Sequence, residues 1–112
     1  MHNSQVSAIE ASIEQYKKDI ALKDALELLE KNVYFQEVIV KGFFVDKAVQ
    51  LVRQKAEWAN QPPDKQAGII RQLDGIGTLY EFFKQIKQDG EIAERSIDSD
   101  RDTLTEVLTQ NL

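Results

Sequence analysis

Val6-x-x-Ile9-x-x-x-Ile13-x-x-Tyr16-x-x-x-Ile20 spaces its apolar residues alternately three and four apart. That is the seam of a helix lying against one partner helix. Near the other end of the chain, Ile86, Gly90, Ala93, Ile97, Asp100, Leu104 and Val107 keep the same alternation. The far end of the last helix needs a partner, and the seam of Val6 to Ile20 is the obvious one, so the first and last helices are predicted to pair antiparallel, as a coiled-coil-like arm over residues 4–21 and 86–108. Residues 22–83, which lie between them, are left to form a small helical head. The predicted fold class is therefore all-α, in one helical domain spanning 1–112.

Residues 3–31 read as one helix, with Asn3 or Ser4 placed to cap its first turn. After Ile20 the apolar stripe is expected to move to Leu22, Ala25, Leu26 and Leu29, widening as the helix enters a fuller core. Glu14–Lys18, Asp19–Lys23 and Glu27–Lys31 are four apart in the favourable order. Such pairs each contribute about 0.2–0.5 kcal/mol.

The segment from Asn32 to Phe44 is β-branched and aromatic, and propensity alone makes it a strand. A single strand among helices would leave its backbone groups unpaired. The preferred reading is a short helix over 33–41, ended by Gly42 in the left-handed region. Residues 45–59 read as a clearer helix. Asn60-Gln61-Pro62-Pro63 is the strongest punctuation in the chain, because proline cannot continue a helix but suits its first turn. A new helix then starts at Pro62 or Pro63, with Asp64 favourably placed in its first turn. From Lys65 to about Leu108 the periodicity predicts one helix, roughly 65 Å long at about 1.5 Å per residue, with Gly90 the place where it could break. The predicted head holds all the aromatics except Tyr16, and they read as core.

Composition narrows the function classes. The chain has 112 residues, 42% hydrophobic and 29% charged, the balance of a folded domain. It has no cysteine, so neither a disulfide framework nor a thiolate metal site. A net charge of −5 argues against direct nucleic-acid binding, which uses clustered Lys and Arg. Lys17, Lys18, Lys47, Arg53, Lys55 and Lys65 are too mixed with acids to form a basic stripe. No signal peptide is expected at the start, and no stretch approaches the roughly 20 apolar residues of a membrane span.

Nothing in the residues composes an active site. The one histidine, His2, sits at a terminus expected to fray, so a Ser-His or Cys-His dyad has no base. Most acids fall on polar helix faces, away from any cleft that would shift their protonation. Asp98-Ser99-Asp100-Arg101-Asp102 resembles the opening of a calcium loop, but Thr103 and Thr109 stand where that loop needs Gly and Glu. Gly75-Ile76-Gly77 lacks the further glycine and the lysine of a phosphate loop. Two helical glycines are better explained by another helix crossing close by, either the 45–59 helix or the first. The expectation is no enzyme, no cofactor and no metal.

The arm carries the functional hint. Its C-terminal strip from Lys87 to Val107 has seven acids and three bases, a net of −4. Gly90, Ala93 and Asp100 make the seam thin and partly polar. Either the two helices suffice for each other, or a further partner covers them. Candidate protein-contact residues are Val6, Ile9, Ile13, Tyr16, Ala93, Ile97 and Leu104 of the arm, with Phe43, Phe44 and any exposed aromatic beside them.

Ala25-Leu26-Glu27-Leu28-Leu29-Glu30-Lys31-Asn32, then Phe35-x-x-Val38-Ile39-x-x-Gly42-Phe43-Phe44-x-x-x-Ala48-Val49-x-Leu51-Val52, resembles a family of small helical proteins of tailed bacteriophages. Ile69-Ile70-Arg71-Gln72-Leu73-Asp74-Gly75-Ile76-Gly77-Thr78-Leu79 is similar to a second signature of that family. The resemblance spans roughly residues 15–108. It implies a gene among head and tail morphogenesis genes and a helix over 33–41, and it brings no catalytic residues. The expected partners are other phage proteins or a second copy, and the expected location is the host cytoplasm during infection or the virion. A rival expectation is an early anti-host protein, a small acidic inhibitor of a host enzyme or a DNA mimic.

Overall fold

The computed structural model describes residues 2–110. Among them there is no strand. Helix α1 runs His2–Glu30 and α2 Val33–Phe35. A π-helical stretch, Gln36–Lys47, leads without interruption into α3, Ala48–Ala56. A 3₁₀ turn, Trp58–Asn60, precedes α4, Pro63–Thr109. The protein is all-α, a small helical head with a long antiparallel arm made by its first and last helices.

The chain divides into two units, one of residues 1–27 with 85–112 and the other of residues 28–84. In the arm unit, Ile13, Leu26, Ile86, Ala93, Ile97 and Val107 are buried. Gly90 is buried as well, directly against Lys23. That contact sets the register of α1 on α4. A parallel pairing from it would carry Val107 beyond the end of α1, whereas an antiparallel one brings Val107 level with Val6. It also brings Ile97 level with Tyr16 and Ala93 level with Ile20.

The apolar stripe of α1 does not shift after Ile20 as expected. Leu22 and Leu29 are about half exposed, and Ala25 is exposed. The seam continues at Lys23, which is buried, and then at Leu26, three residues on rather than four and the one member of the expected stripe that is buried. For this reason the arm unit takes in α1 as far as Glu27 rather than stopping near residue 21. Neither Asn3 nor Ser4 caps α1, because both lie inside it. The expected ion pairs are also rearranged. Glu14 pairs with Lys17 at 3.1 Å, and Asp19 accepts from Gln15 at 2.9 Å. Lys23 turns to Glu27 and Glu94, because burial points it toward α4.

In the head unit, Asn32 ends one helix and starts the next. Its backbone is extended, and its side chain accepts from the backbone N–H groups of Tyr34 (2.9 Å) and Phe35 (3.1 Å). Those donors have no partner within the helix, so the cap satisfies them. The segment that propensity reads as strand is helical from Val33. Gly42 does not end it, since no glycine among the described residues has a positive φ. Gly42 sits within the π-helical stretch instead. There a side-chain Cβ would lie 3.0 Å from the carbonyl oxygen of Glu37, five residues back.

The 45–59 helix stops at Ala56, because Glu57 is extended. Three amide side chains then close the turn. Asn60 donates to the carbonyl of Gln54 (2.9 Å), and Gln61 to those of Lys55 (3.0 Å) and Glu57 (2.8 Å). Gln66 donates to Lys55 (2.8 Å) and Asn60 (2.7 Å). The orphan carbonyls at the end of α3 thus find donors across the turn. Pro63 opens α4, and Asp64 lies in its first turn. The helix then continues unbroken through Gly90.

The head core is narrow, with Leu51, Ile69 and Ile76 buried and Phe43, Phe44, Ala48 and Leu73 packed against them. The aromatics are not the core as a group. Tyr34, Trp58, Tyr80 and Phe82 are exposed, because the hairpin of α3 and α4 has only one inward line for each helix. No helix crosses at Gly75 or Gly77, where a Cβ would meet nothing within 4 Å. Close helix approach occurs instead at Gly90.

Candidate contact surfaces

Lys23 is the one buried charged residue recorded in the core. Its aliphatic stem fills the space that a side chain at Gly90 would need, since a Cβ built there would overlap the Cβ, Cγ and Cδ of Lys23. The ammonium then reaches past the seam to donate to Glu94 and to pair with Glu27 at 3.4 Å. A lysine can occupy an apolar seam in this way because its methylenes pack while its head remains at the edge. The hydrogen bond to Glu94 holds the Lys23 ammonium protonated above its usual 10.5, against the opposing effect of burial. The thin place the sequence shows at Gly90 is therefore filled by a side chain the apolar stripe does not include. Ile20 plus three residues is Lys23, so strict continuation of the heptad would have found it.

The arm residues expected to make contacts are largely taken up within the arm itself. Ile13, Ala93 and Ile97 are buried, and Val6, Ile9, Tyr16 and Leu104 are partly buried. Asp100 is partly buried among them. Residues 98–102 run as helix, so the acids there do not form a loop. The arm's outward surface is set by its acids, with Ile92 and Leu108 half exposed among them.

The head has the more open apolar surface. Phe43 and Phe44 are partly buried against its core. Phe44 lies at the centre of an aromatic chain, edge-on to Tyr80 (5.6 Å) and to Phe83 (5.8 Å). Phe83 in turn meets Phe35 at 5.9 Å. Tyr80, which is more than half exposed, is the exposed aromatic expected beside Phe44. A groove of about 700 Å³ opens between α3 and α4, floored by Phe44, Ala48, Leu73 and Ile76 and edged by Tyr80. Its two charged neighbours, Asp74 and Glu81, are both acidic. A second groove lies toward the turn, beside Val52, Ala56 and Trp58, and its one charged neighbour is Lys55. Trp58 is 91% exposed. The sequence carries a signal for this surface, since Val45, Val49, Val52 and Ala56 repeat at four, three and four.

Among the described residues, no group of three or more His, Asp or Glu is placed to hold a metal ion. No buried side-chain nitrogen or oxygen among them lacks a hydrogen-bond partner. No helix among them is long and apolar enough to cross a membrane. The side chain of His2 lies outside the described residues. No protein-family profile matches the chain, and neither a curated protein nor a solved structure matches it.

Proposed function

We propose that this protein acts by protein–protein contact, without catalysis, as a structural or assembly-associated component of a tailed bacteriophage. The observation that carries the contact reading is the apolar flank of the head, where Val49, Val52, Trp58 and Tyr80 stand open to solvent. Apolar patches of this kind mark interaction sites when they exceed a few hundred Å². The phage assignment is supported by the resemblance of the 25–52 and 69–79 segments to the phage family. Its partners are other phage proteins or a second copy, in the host cytoplasm during infection and in the particle. Mass spectrometry of purified particles and proheads tests it. Peptides from this chain at a fixed ratio to the major structural proteins are expected, and their absence from both would remove the virion reading.

The acidic strip of the arm favours a second reading, an early inhibitor that binds a host enzyme or mimics DNA. Such binding should weaken as salt rises, because exposed charges are screened. Time of expression separates the two readings, since an inhibitor is made early and an assembly protein late.

A further inference from the structure

The head's apolar flank has a shape that fits itself. On a helix turning about 100° per residue, Val49, Val52 and Ala56 fall on one side of α3, away from Leu51. That side also carries Trp58 and the second groove. On α4, Leu73, Gly77 and Tyr80 edge the larger groove, which they share with Phe44 and Ala48 of the α3 rod. Ala48 of the larger groove and Val52 and Ala56 of the second follow at four-residue steps along α3, about 40° apart, so the two grooves continue along one face of the hairpin. Trp58 projects at one end of this face, and the groove beside Tyr80 is open at the other.

We infer that a second copy of this chain docks on this face about a two-fold axis, each Trp58 seated in the other copy's groove between Phe44 and Tyr80. The inference rests on the contact function proposed above and names the partner. A two-fold interface requires that the same patch supply both the projection and the recess, and here it does. The charges agree. Lys55 is the charged residue lining the groove beside Trp58, Glu57 lines other grooves, and Asp74 and Glu81 border the larger groove, so the antiparallel arrangement brings base against acid twice. The area agrees as well. Val49, Val52, Trp58 and Tyr80, with Ile70 one turn before Leu73 and Asp74 on α4, leave on the order of 600 Å² open. A standard interface buries roughly 800 Å² per partner, with a rim of polar residues supplying the remainder. The paired hairpins form a four-helix layer, and the narrow core of each gains a second apolar wall.

Trp58 is the only tryptophan in the chain, so its fluorescence reports on the interface directly. Sedimentation equilibrium of the full chain, from low micromolar to several hundred micromolar, should give a monomer–dimer equilibrium. The emission should shift to shorter wavelength over the same range. Trp58→Glu should raise the dissociation constant at least about 30-fold, as expected for an aromatic anchor seated in a pocket of its partner. Its helical circular dichroism should be unchanged, because Trp58 contributes little to the monomer's packing. Lys55→Glu should weaken the dimer, and adding Asp74→Lys with Glu81→Lys should restore it. A wild-type mass that stays monomeric throughout would overturn the self-pairing while leaving the particle test to decide the contact function. A dimer that survives Trp58→Glu, or one whose tryptophan emission stays that of a water-exposed ring, would overturn the docking face.

Discussion

Gly90→Ala should destabilise this protein, although the same substitution at Gly75 or Gly77 should stabilise it. All three glycines lie inside α4, and on helix propensity alone alanine gains about 0.8–1.0 kcal/mol at each. At Gly75 and Gly77 nothing lies within 4 Å of the new methyl group, so the gain stands. At Gly90 the methyl would land on the Cβ, Cγ and Cδ of Lys23. The Cβ is fixed to the α1 backbone and cannot swing away, so relief requires the two helices to separate locally. Overpacking of this sort costs about 1–3 kcal/mol. With the methyl overlapping three atoms at once, the upper part of that range applies, and the net loss is about 1–2 kcal/mol. The separation between Gly90→Ala and Gly77→Ala should thus approach about 2–3 kcal/mol, or on the order of 10 °C in midpoint at ~4 °C per kcal/mol. Urea denaturation followed by far-ultraviolet circular dichroism measures it for all three variants. In a double-mutant cycle, Lys23→Ala should relieve only the part of the Gly90→Ala defect that comes from the Cγ and Cδ, whereas Lys23→Gly, which removes the Cβ too, should show the larger favourable coupling. A Gly90→Ala protein as stable as Gly77→Ala would refute the reasoning, because it would mean that α1 and α4 do not approach at that level.

Asn32→Ala should cost about 1 kcal/mol by removing the acceptor for Tyr34 and Phe35, and Asn32→Asp should retain most of it; equilibrium urea titration of the two variants checks this. Leu51→Ala should cost about 2–5 kcal/mol, because Leu51 is the one large side chain recorded as fully buried, and thermal unfolding would show it as the largest loss among the valine and leucine positions of α3. Lys23 has a pKa raised by its hydrogen bond to Glu94, so its contribution to stability is fully present below 10.5 and fades as pH rises through the higher folded value. Unfolding midpoints measured above pH 10.5 should therefore fall more steeply for the wild type than for Lys23→Met, and parallel curves would show that the interaction is absent.

The division between what the chain announces and what packing decides follows interaction range. The alternation of Val6 to Ile20 and of Ile86 to Val107 specifies helices with one sticky side, and two such helices at the ends of a chain this short must meet. Asn60 to Pro63 marks the hairpin for a purely local reason, since proline lacks the donor that a continuing helix needs. These elements were legible because periodicity and backbone chemistry act within a few residues.

Lys23 stands at the next seam place after Ile20, but its burial was not legible, because that depends on Gly90, 67 positions away, having no side chain. Gly75 and Gly77 carry the same residue type in the same helix, yet only the tertiary partner shows which glycine is needed. The continuity of the helical rod through Gly42 is another such case, settled by a widened turn that no residue preference announces. Trp58 shows the converse. Its apolar character predicts burial, but it follows the extended Glu57, and the turn carries it out of the core. The amino-acid order determined which segments are helical and which sides are apolar. Only the fold decided which apolar sides would be closed and which left open, because closure depends on the atoms brought opposite by the rest of the chain.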